Sequence, residues 1–428
     1  MRIAVLSVHT SPLARPGGAK AGGLNVYVLQ LARQLLSRGC RIDIFSRSTH
    51  AIPEVVEIEP GLRAIHVVAG PVAPLAPEQI YTHLDAFEAG VRDFVAREQA
   101  LPPPPVAPGE PLIAGRPDRP YDVLHSHYWL SGLVGERLKT AWGVPHVAMF
   151  HTLGEIKNRS SVQEHETELR IASERGVLQG AERVICATEQ ERAAISRLYG
   201  AALEKVTVIP LGVDMDRFRP AAKAEARERL GLGDERIVLF VGRLEPLKGV
   251  DILIGAASML DSDVECSVLI VGGDETSDEQ VKQLQSLASN LGVGDRVAFV
   301  GAVDHDLLPL YYNAADVCVV PSHYESFGLV AVEAMASGLP VVASRVGGLM
   351  GTVRDGETGY LVPWLCPEPF AERIELLLDN EPLRISLGAA AREAVSRYRW
   401  ENVAGAVLQV YESLLGRDVA LQPAGAGE

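Results

Sequence analysis

The sequence predicts an α/β protein built from two doubly wound parallel-sheet domains that face a central cleft. Three observations predict it. The chain has 428 residues, well beyond a single domain of roughly 100–200 residues. Short β-branched runs alternate with long amphipathic stretches, as in a parallel sheet covered by helices on both faces. That alternation then restarts after a proline-flanked segment in the middle of the chain.

In the first half, Arg2–Val8, Arg41–Phe45, Leu62–Val68, Tyr121–His125, Val144–Met149, Arg183–Ala187 and Val206–Ile209 are predicted strands. Gly23–Ser37, Glu78–Glu98, Leu130–Ala141, Glu164–Leu178 and Glu189–Tyr199 carry helical spacing between them. In the second half the predicted strands are Arg236–Val241, Cys266–Val271, Arg296–Val300, Val317–Val320, Val341–Ala343 and Tyr360–Val362. Helices such as Gly249–Leu260 and Ser277–Leu291 fill the gaps. The two halves share the alternation but are not sequence repeats. Pro210–Pro220 has prolines at both ends and a Gly–Val turn, as expected of a hinge. Leu101–Pro120 is proline-rich and without period, and reads as a semi-rigid surface excursion. Trp400–Leu415 is an amphipathic helix, and the tail after Arg417 is expected to be disordered. The expected domains are residues 1–212 with the helix 398–417, and residues 213–397.

Composition excludes several classes. Hydrophobic residues make up 47% and charged residues 22%, enough for two cores. Forty Lys and Arg against 55 Asp and Glu give a formal net charge of −15. Such a surface argues against general nucleic-acid binding and against a polybasic membrane patch. No stretch approaches the roughly 18 apolar residues of a membrane helix. The apolar run at the N-terminus is too short for a signal-peptide core, so the cytoplasm is the expected location. Cys40, Cys186, Cys266, Cys318 and Cys366 form no CxxC pair and read as reduced thiols. A homodimer is compatible with the sequence, which leaves the oligomeric state open.

An open parallel sheet binds ligands at the carboxyl ends of its strands, so the residues that follow strands carry the function. After the first strand come Gly17-Gly18 and Gly22-Gly23-Leu24-Asn25, glycines that let backbone N–H groups approach a phosphate at a helix start. There is neither a GxGxxG nor a GxxxxGK[ST]. Two histidine clusters follow neighbouring strands, His125-Ser126-His127-Tyr128 and Phe150-His151-Thr152. Zinc is a competing reading of them, but there is no HExxH and no third good ligand is evident. In the second half, Arg243 and Lys248 place two cations on one strand-to-helix loop, as a diphosphate requires. Ser326-Phe327-Gly328-Leu329 opens a helix whose N–H groups make another anion site. Glu325 precedes that helix and can accept hydrogen bonds from hydroxyls, and Glu333 lies within it.

Together these residues resemble the retaining glycosyltransferases of family 4, which have the GT-B fold of two Rossmann-like domains. The motifs are Gly22-Gly23-Leu24-Asn25-Val26-Tyr27, His125 through Gly132, Gly242-Arg243 with Lys248, and Glu325-x7-Glu333, and the similarity runs from about Arg2 to about Leu415. Within the family the chain is similar to D-inositol-3-phosphate glycosyltransferases, with bacterial sucrose-phosphate synthases next. The resemblance implies that the final helix crosses back to the first domain. It implies a nucleotide-sugar co-substrate such as UDP-glucose or UDP-N-acetylglucosamine, and no tightly bound cofactor. Gly23, Arg243 and Lys248 would then meet the donor diphosphate, Glu325 the sugar hydroxyls and Glu333 the ribose. His151 would contact the donor sugar near the reacting centre. Tyr128, Thr152 and Arg170 fall at three of the four acceptor-phosphate positions, with Asn25 beside them, and Pro77 stands where those enzymes carry a lysine. The implied acceptor is small, polar and phosphorylated.

Three Asp-x-Asp triplets begin at Asp214, Asp261 and Asp304. The first lies in the hinge, the second after a helix, and the third reads as a helix N-cap. With protein cations already present for a diphosphate, no metal is expected to be required. A nucleotide-sugar epimerase and a non-catalytic sugar-nucleotide binding protein are the alternatives from other classes. The first would consume donor without acceptor, and the second would release no nucleotide.

Overall fold

The computed structural model describes residues 1–14, 23–51, 54–100, 119–160, 165–261, 265–273, 277–363 and 365–417. Gly17, Gly18 and Gly22, residues 101–118, Asp263 and the tail after Arg417, for which the sequence carries expectations, lie outside the described residues.

The first sheet has eight strands: β1 Arg2–Leu6, β2 Arg41–Arg47, β3 Val55–Glu59, β4 Leu62–Val67, β5 Val123–His127, β6 His146–Met149, β7 Arg183–Cys186 and β8 Val206–Val208. Their spatial order is β3-β4-β2-β1-β5-β6-β7-β8, and only β3 runs antiparallel to its neighbour. The second sheet has six: β9 Arg236–Val241, β10 Cys266–Val271, β11 Val297–Gly301, β12 Val317–Val320, β13 Val341–Ser344 and β14 Gly359–Val362. Their order is β11-β10-β9-β12-β13-β14, all parallel. The central strands are apolar on both faces, as sheets covered on both sides require; Ile3, Ala4 and Leu6 of β1 are fully buried. In each sheet the winding reverses beside the first strand. β1 lies between β2 and β5, and β9 between β10 and β12. A crevice opens at the carboxyl ends at such a switch point, and the candidate residues fall there.

The C-terminal helix Trp400–Leu414 packs along the helix Gly23–Leu36 of the first sheet, crossing back as expected. Tyr27 and Trp400 meet with ring centroids 5.6 Å apart. Tyr411 Oη lies 2.6 Å from His125 Nδ1, inside β5. The crossing is pinned where Val213 N donates to Tyr398 O at 2.8 Å.

Five local features differ from expectation. β3 was not anticipated: its residues, VVEIE, are half-exposed at a sheet edge, where no continuous apolar run is needed. The single helix expected over 78–98 is two, Pro77–Tyr81 and Leu84–Ala100, separated at Thr82 and His83. The helix expected from Glu164 begins at Glu168, with Thr167 Oγ1 accepting from Arg170 N at 3.3 Å. A short polar helix, Gly154–Ser160, precedes it unforeseen. β5 also runs two residues beyond the expected end at His125. His127 is therefore a buried strand residue rather than the start of a loop.

Candidate functional site

On the C-terminal side, the loop after β9 turns sharply at Pro246–Lys248 and enters the helix Val250–Ala257 through Gly249. Gly249 has φ +65°, and a Cβ there would sit 2.1 Å from Pro321 O. Only glycine lets the loop press this closely on the segment after β12. His323 N donates to Leu247 O at 2.8 Å and completes the seam. The result is that Lys248 Nζ meets Glu325 Oε1 at 2.5 Å. Ser322 Oγ donates to the same oxygen at 3.2 Å. Arg243 does not join this pair. It pairs with Glu245 of its own loop at 2.5 Å, and its side chain is 57% exposed.

The helix Leu329–Ala336 starts at Gly328 beside this pair. The Phe327 side chain is buried against Tyr398, so only its backbone is available to a ligand. Glu333 accepts from Tyr312 Oη at 3.0 Å and lies 3.1 Å from His305 Nε2.

On the N-terminal side, two residues other than glycine have left-handed backbone conformations among the described residues, Tyr128 at φ +77° and His151 at φ +63°. Each follows the carboxyl end of a strand, β5 and β6. Strain of this kind persists only where surrounding packing over-determines it. Both rings are held: His151 Nε2 lies 3.0 Å from His127 Nδ1, and Tyr128 lies against His9 with centroids 4.4 Å apart. Burial, with the neighbouring His9, pulls His151 down to about 3, so its imidazole is neutral at ordinary pH. His125 is likewise lowered to about 3, chiefly by burial.

Tyr128, Thr152 and Arg170 come together. Arg170 Nη2 donates to Thr152 O at 3.0 Å and to Thr152 Oγ1 at 3.1 Å. Its guanidinium lies 4.9 Å from the centre of the Tyr128 ring. Asn25 is engaged elsewhere: its Nδ2 donates to Thr10 Oγ1 at 2.9 Å and Ser11 O at 2.8 Å, fixing the turn after β1. The two sides touch at Gly23, where a Cβ would lie 2.7 Å from Leu329 Cδ1.

The chain matches two family profiles in tandem, Glycosyltransferase Family 4 over residues 21–217 and Glycosyl transferases group 1 over residues 222–394. It is 42% identical over 420 residues to D-inositol 3-phosphate glycosyltransferase 2 of Catenulispora acidiphila, covering 96% of this chain and 94% of that one. It is 43% identical over 424 residues to the D-inositol 3-phosphate glycosyltransferase of Acidothermus cellulolyticus, covering 97% and 90%. The chain belongs to the family 4 glycosyltransferases. Among solved structures, the sucrose-phosphate synthase of Thermosynechococcus elongatus matches this glycosyltransferase with a TM-score of 0.86 and 36% identity, over 97% of this chain and 100% of that one. Anabaena Alr3699/HepE, solved with UDP and glucose, matches at a TM-score of 0.73 and 20% identity over 96% of this chain and 100% of that one, which shows the shared GT-B fold.

The glycosyltransferase has no group of three or more His, Cys, Asp or Glu side chains placed to hold a metal ion among the described residues. Asp214 Oδ1 instead accepts from Asp216 N at 3.1 Å and Arg217 N at 2.9 Å and shapes the hinge turn. The expectation that Asp304 caps a helix is corrected: the helix Leu308–Ala314 is preceded by Leu307, with no side-chain cap. The third triplet links the hinge to Glu333 instead. Arg217 Nη1 lies 3.0 Å from His305 Nδ1, and Arg217 pairs with Asp306. No helix among the described residues is long and apolar enough to cross a membrane.

Three residues around Arg170 were missed in the sequence. Glu174 Oε1 accepts from Arg170 Nε at 2.7 Å, Glu166 Oε1 lies 2.9 Å from Arg170 Nη1, and Lys157 Nζ lies 2.8 Å from that same Glu166 oxygen. A signal was present: Glu166, Arg170 and Glu174 are spaced four apart, which stacks opposite charges along one helical face.

Proposed function

We propose that this glycosyltransferase moves a hexosyl group, with retention, from a nucleotide-sugar to a hydroxyl of a small phosphorylated acceptor such as inositol phosphate. UDP-glucose and UDP-N-acetylglucosamine are the donors proposed. The observation that carries the reading is the convergence of Tyr128, Thr152 and Arg170 at the ends of β5 and β6. They bring a guanidinium and two hydroxyl-bearing side chains together, on the sheet opposite the one that carries Lys248 and Glu325. The 40–43% identity to D-inositol 3-phosphate glycosyltransferases supports inositol phosphate as the first acceptor to try.

In this reading residues 1–212 with 398–417 bind the acceptor and residues 213–397 bind the donor. Lys248, Arg243 and the N–H groups at Ser326–Leu329 stabilise the charge that grows on the departing diphosphate. Gly23 gives the diphosphate room, Glu325 orients the sugar hydroxyls and Glu333 the ribose. Neutral His151 lies near the reacting carbon as a hydrogen-bonding partner. The acceptor hydroxyl attacks on the face from which the diphosphate departs. Its proton passes to the leaving phosphate oxygen, the C–O bond to phosphate breaks and the new glycosidic bond forms with the same configuration. The protein cations supply the neutralisation for which a divalent ion would otherwise be needed. The reaction is placed in the cytoplasm.

A second acceptor, fructose 6-phosphate, is favoured by the 36% identity to a sucrose-phosphate synthase; Pro77, where the inositol-phosphate enzymes carry a lysine, departs from the first reading without pointing to the second. Assays of UDP-glucose, UDP-N-acetylglucosamine and GDP-mannose against inositol phosphate and fructose 6-phosphate separate the two. UDP release that requires one phosphorylated acceptor supports the proposal. Equal release without acceptor contradicts it.

A further inference from the structure

Arg170 is buried, and each of its three side-chain nitrogens is engaged: Nε by Glu174, Nη2 by Thr152 and Nη1 by Glu166. These partners are not equivalent. Glu174 is fully buried, and its carboxylate also accepts from Gly154 N at 2.9 Å and from Tyr199 Oη at 2.5 Å. Removing it would strand several buried donors. Glu166 is reached by solvent, and its Oε1 alone is shared by Arg170 at 2.9 Å and Lys157 at 2.8 Å. Its backbone is gripped from outside the pair, with Glu166 N donating to Asn158 Oδ1 at 2.5 Å and Asn158 Nδ2 donating to Glu166 O at 3.3 Å. The side chain is therefore free to swing while the backbone stays fixed. Two cations converging on one exchangeable carboxylate oxygen make an anion subsite already filled by the chain itself.

A phosphate dianion entering this pocket meets the Glu166 carboxylate on the same cations. Two such anions repel at contact distance, and one must leave. We propose that Glu166 is a built-in stand-in for the acceptor's phosphate: it holds Arg170 and Lys157 in place in the empty site and swings out when a phosphorylated acceptor binds. This rests on the proposed acceptor class and adds to it a residue that sets acceptor affinity. The exchange replaces a monoanion by a dianion, so the pocket selects phosphorylated over neutral polyols. It also keeps Arg170 Nη1 and Lys157 Nζ partnered between turnovers, while Glu174 holds Arg170 Nε throughout.

The direct test is inorganic phosphate binding to the full chain, with UDP at saturation to occupy the donor side. Glu166→Gln keeps the shape and removes the competing charge. It is expected to bind phosphate about tenfold more tightly than the wild type and to lower the acceptor KM while leaving the donor KM unchanged. Glu166→Asp, with a shorter reach to the two cations, is expected to fall between them and guards against a folding defect in the first variant. Lys157→Met is expected to weaken phosphate binding. Phosphate binding that is unchanged or weaker in both Glu166 variants, with wild-type Tm, overturns the proposal. Tighter phosphate binding together with no transfer to any phosphorylated acceptor would leave Glu166 its role and count against the proposed acceptor instead.

Discussion

Gly23 and Leu329 meet across the cleft, at the first residues of two helices that belong to different sheets: a Cβ on Gly23 would lie 2.7 Å from Leu329 Cδ1. The clash is with the far end of a flexible side chain, so Leu329 can turn aside without loss of the fold. The diphosphate proposed to pack against the Gly23 backbone would have no such freedom. Gly23→Ala is therefore expected to keep its Tm within a few degrees while kcat/KM for the nucleotide-sugar falls about tenfold or more. Thermal melting and steady-state kinetics on the same preparation check this.

Lys248 is held against Glu325 at 2.5 Å. Replacing it with alanine removes a cation from the proposed diphosphate site. Transfer is expected to slow by about 10²–10³, the scale of one lost charge-stabilising group. Some stability should be lost as well, because the two side chains are only 21% and 15% exposed and Glu325 is left without its cation, so rates are compared well below the Tm of the variant. An unchanged rate would remove Lys248 from the mechanism.

Glu191 is a buried carboxyl in the first turn of the helix Glu189–Tyr199, where its Oε2 accepts from Ala187 N at 2.8 Å. Burial raises it to about 7 against an ordinary value of 4.5. Between those values the folded chain holds a proton that the unfolded chain has released. Its contribution to stability is thus complete below about 4.5 and is lost as pH rises through about 7. Glu191→Gln, which cannot ionise, is expected to match the wild type at pH 4.5 and to melt a few degrees higher at pH 8. Melting curves across that range read the difference.

Gly212 lies under the indole of Trp400, where a Cβ would stand 2.2 Å from the ring. The ring is buried and cannot move aside cheaply. Gly212→Ala is expected to destabilise by about 1–3 kcal/mol, the usual cost of overpacking, and to loosen the crossing of the C-terminal helix. Denaturant unfolding monitored by tryptophan fluorescence measures it.

Much of this was legible in the sequence because parallel strands buried on both faces must be continuous apolar runs. Arg236–Val241 and Cys266–Val271 could be bounded to the residue for that reason. β3 escaped notice because an edge strand needs no such run. The histidines of β5 misled because polar residues inside a strand resemble a loop until their partners are known. His125 Nδ1 is paired with Tyr411, 286 residues away, and no local pattern announces a partner at that distance. The candidate site divides in the same way. Gly249 and the Lys248 loop are local, and so are readable. The enclosure of Arg170 by Glu166, Glu174 and Lys157 depends on how two helices pack, and only the four-residue spacing hinted at it.

The most direct measurement is acceptor-dependent release of UDP from a UDP-hexose in the presence of EDTA, with the anomeric configuration of the product read by proton NMR. The account predicts release only when a phosphorylated acceptor is present, undiminished by the chelator, and a product with the donor's α configuration. Release without acceptor, a strict need for a divalent metal, or a β-linked product would contradict it.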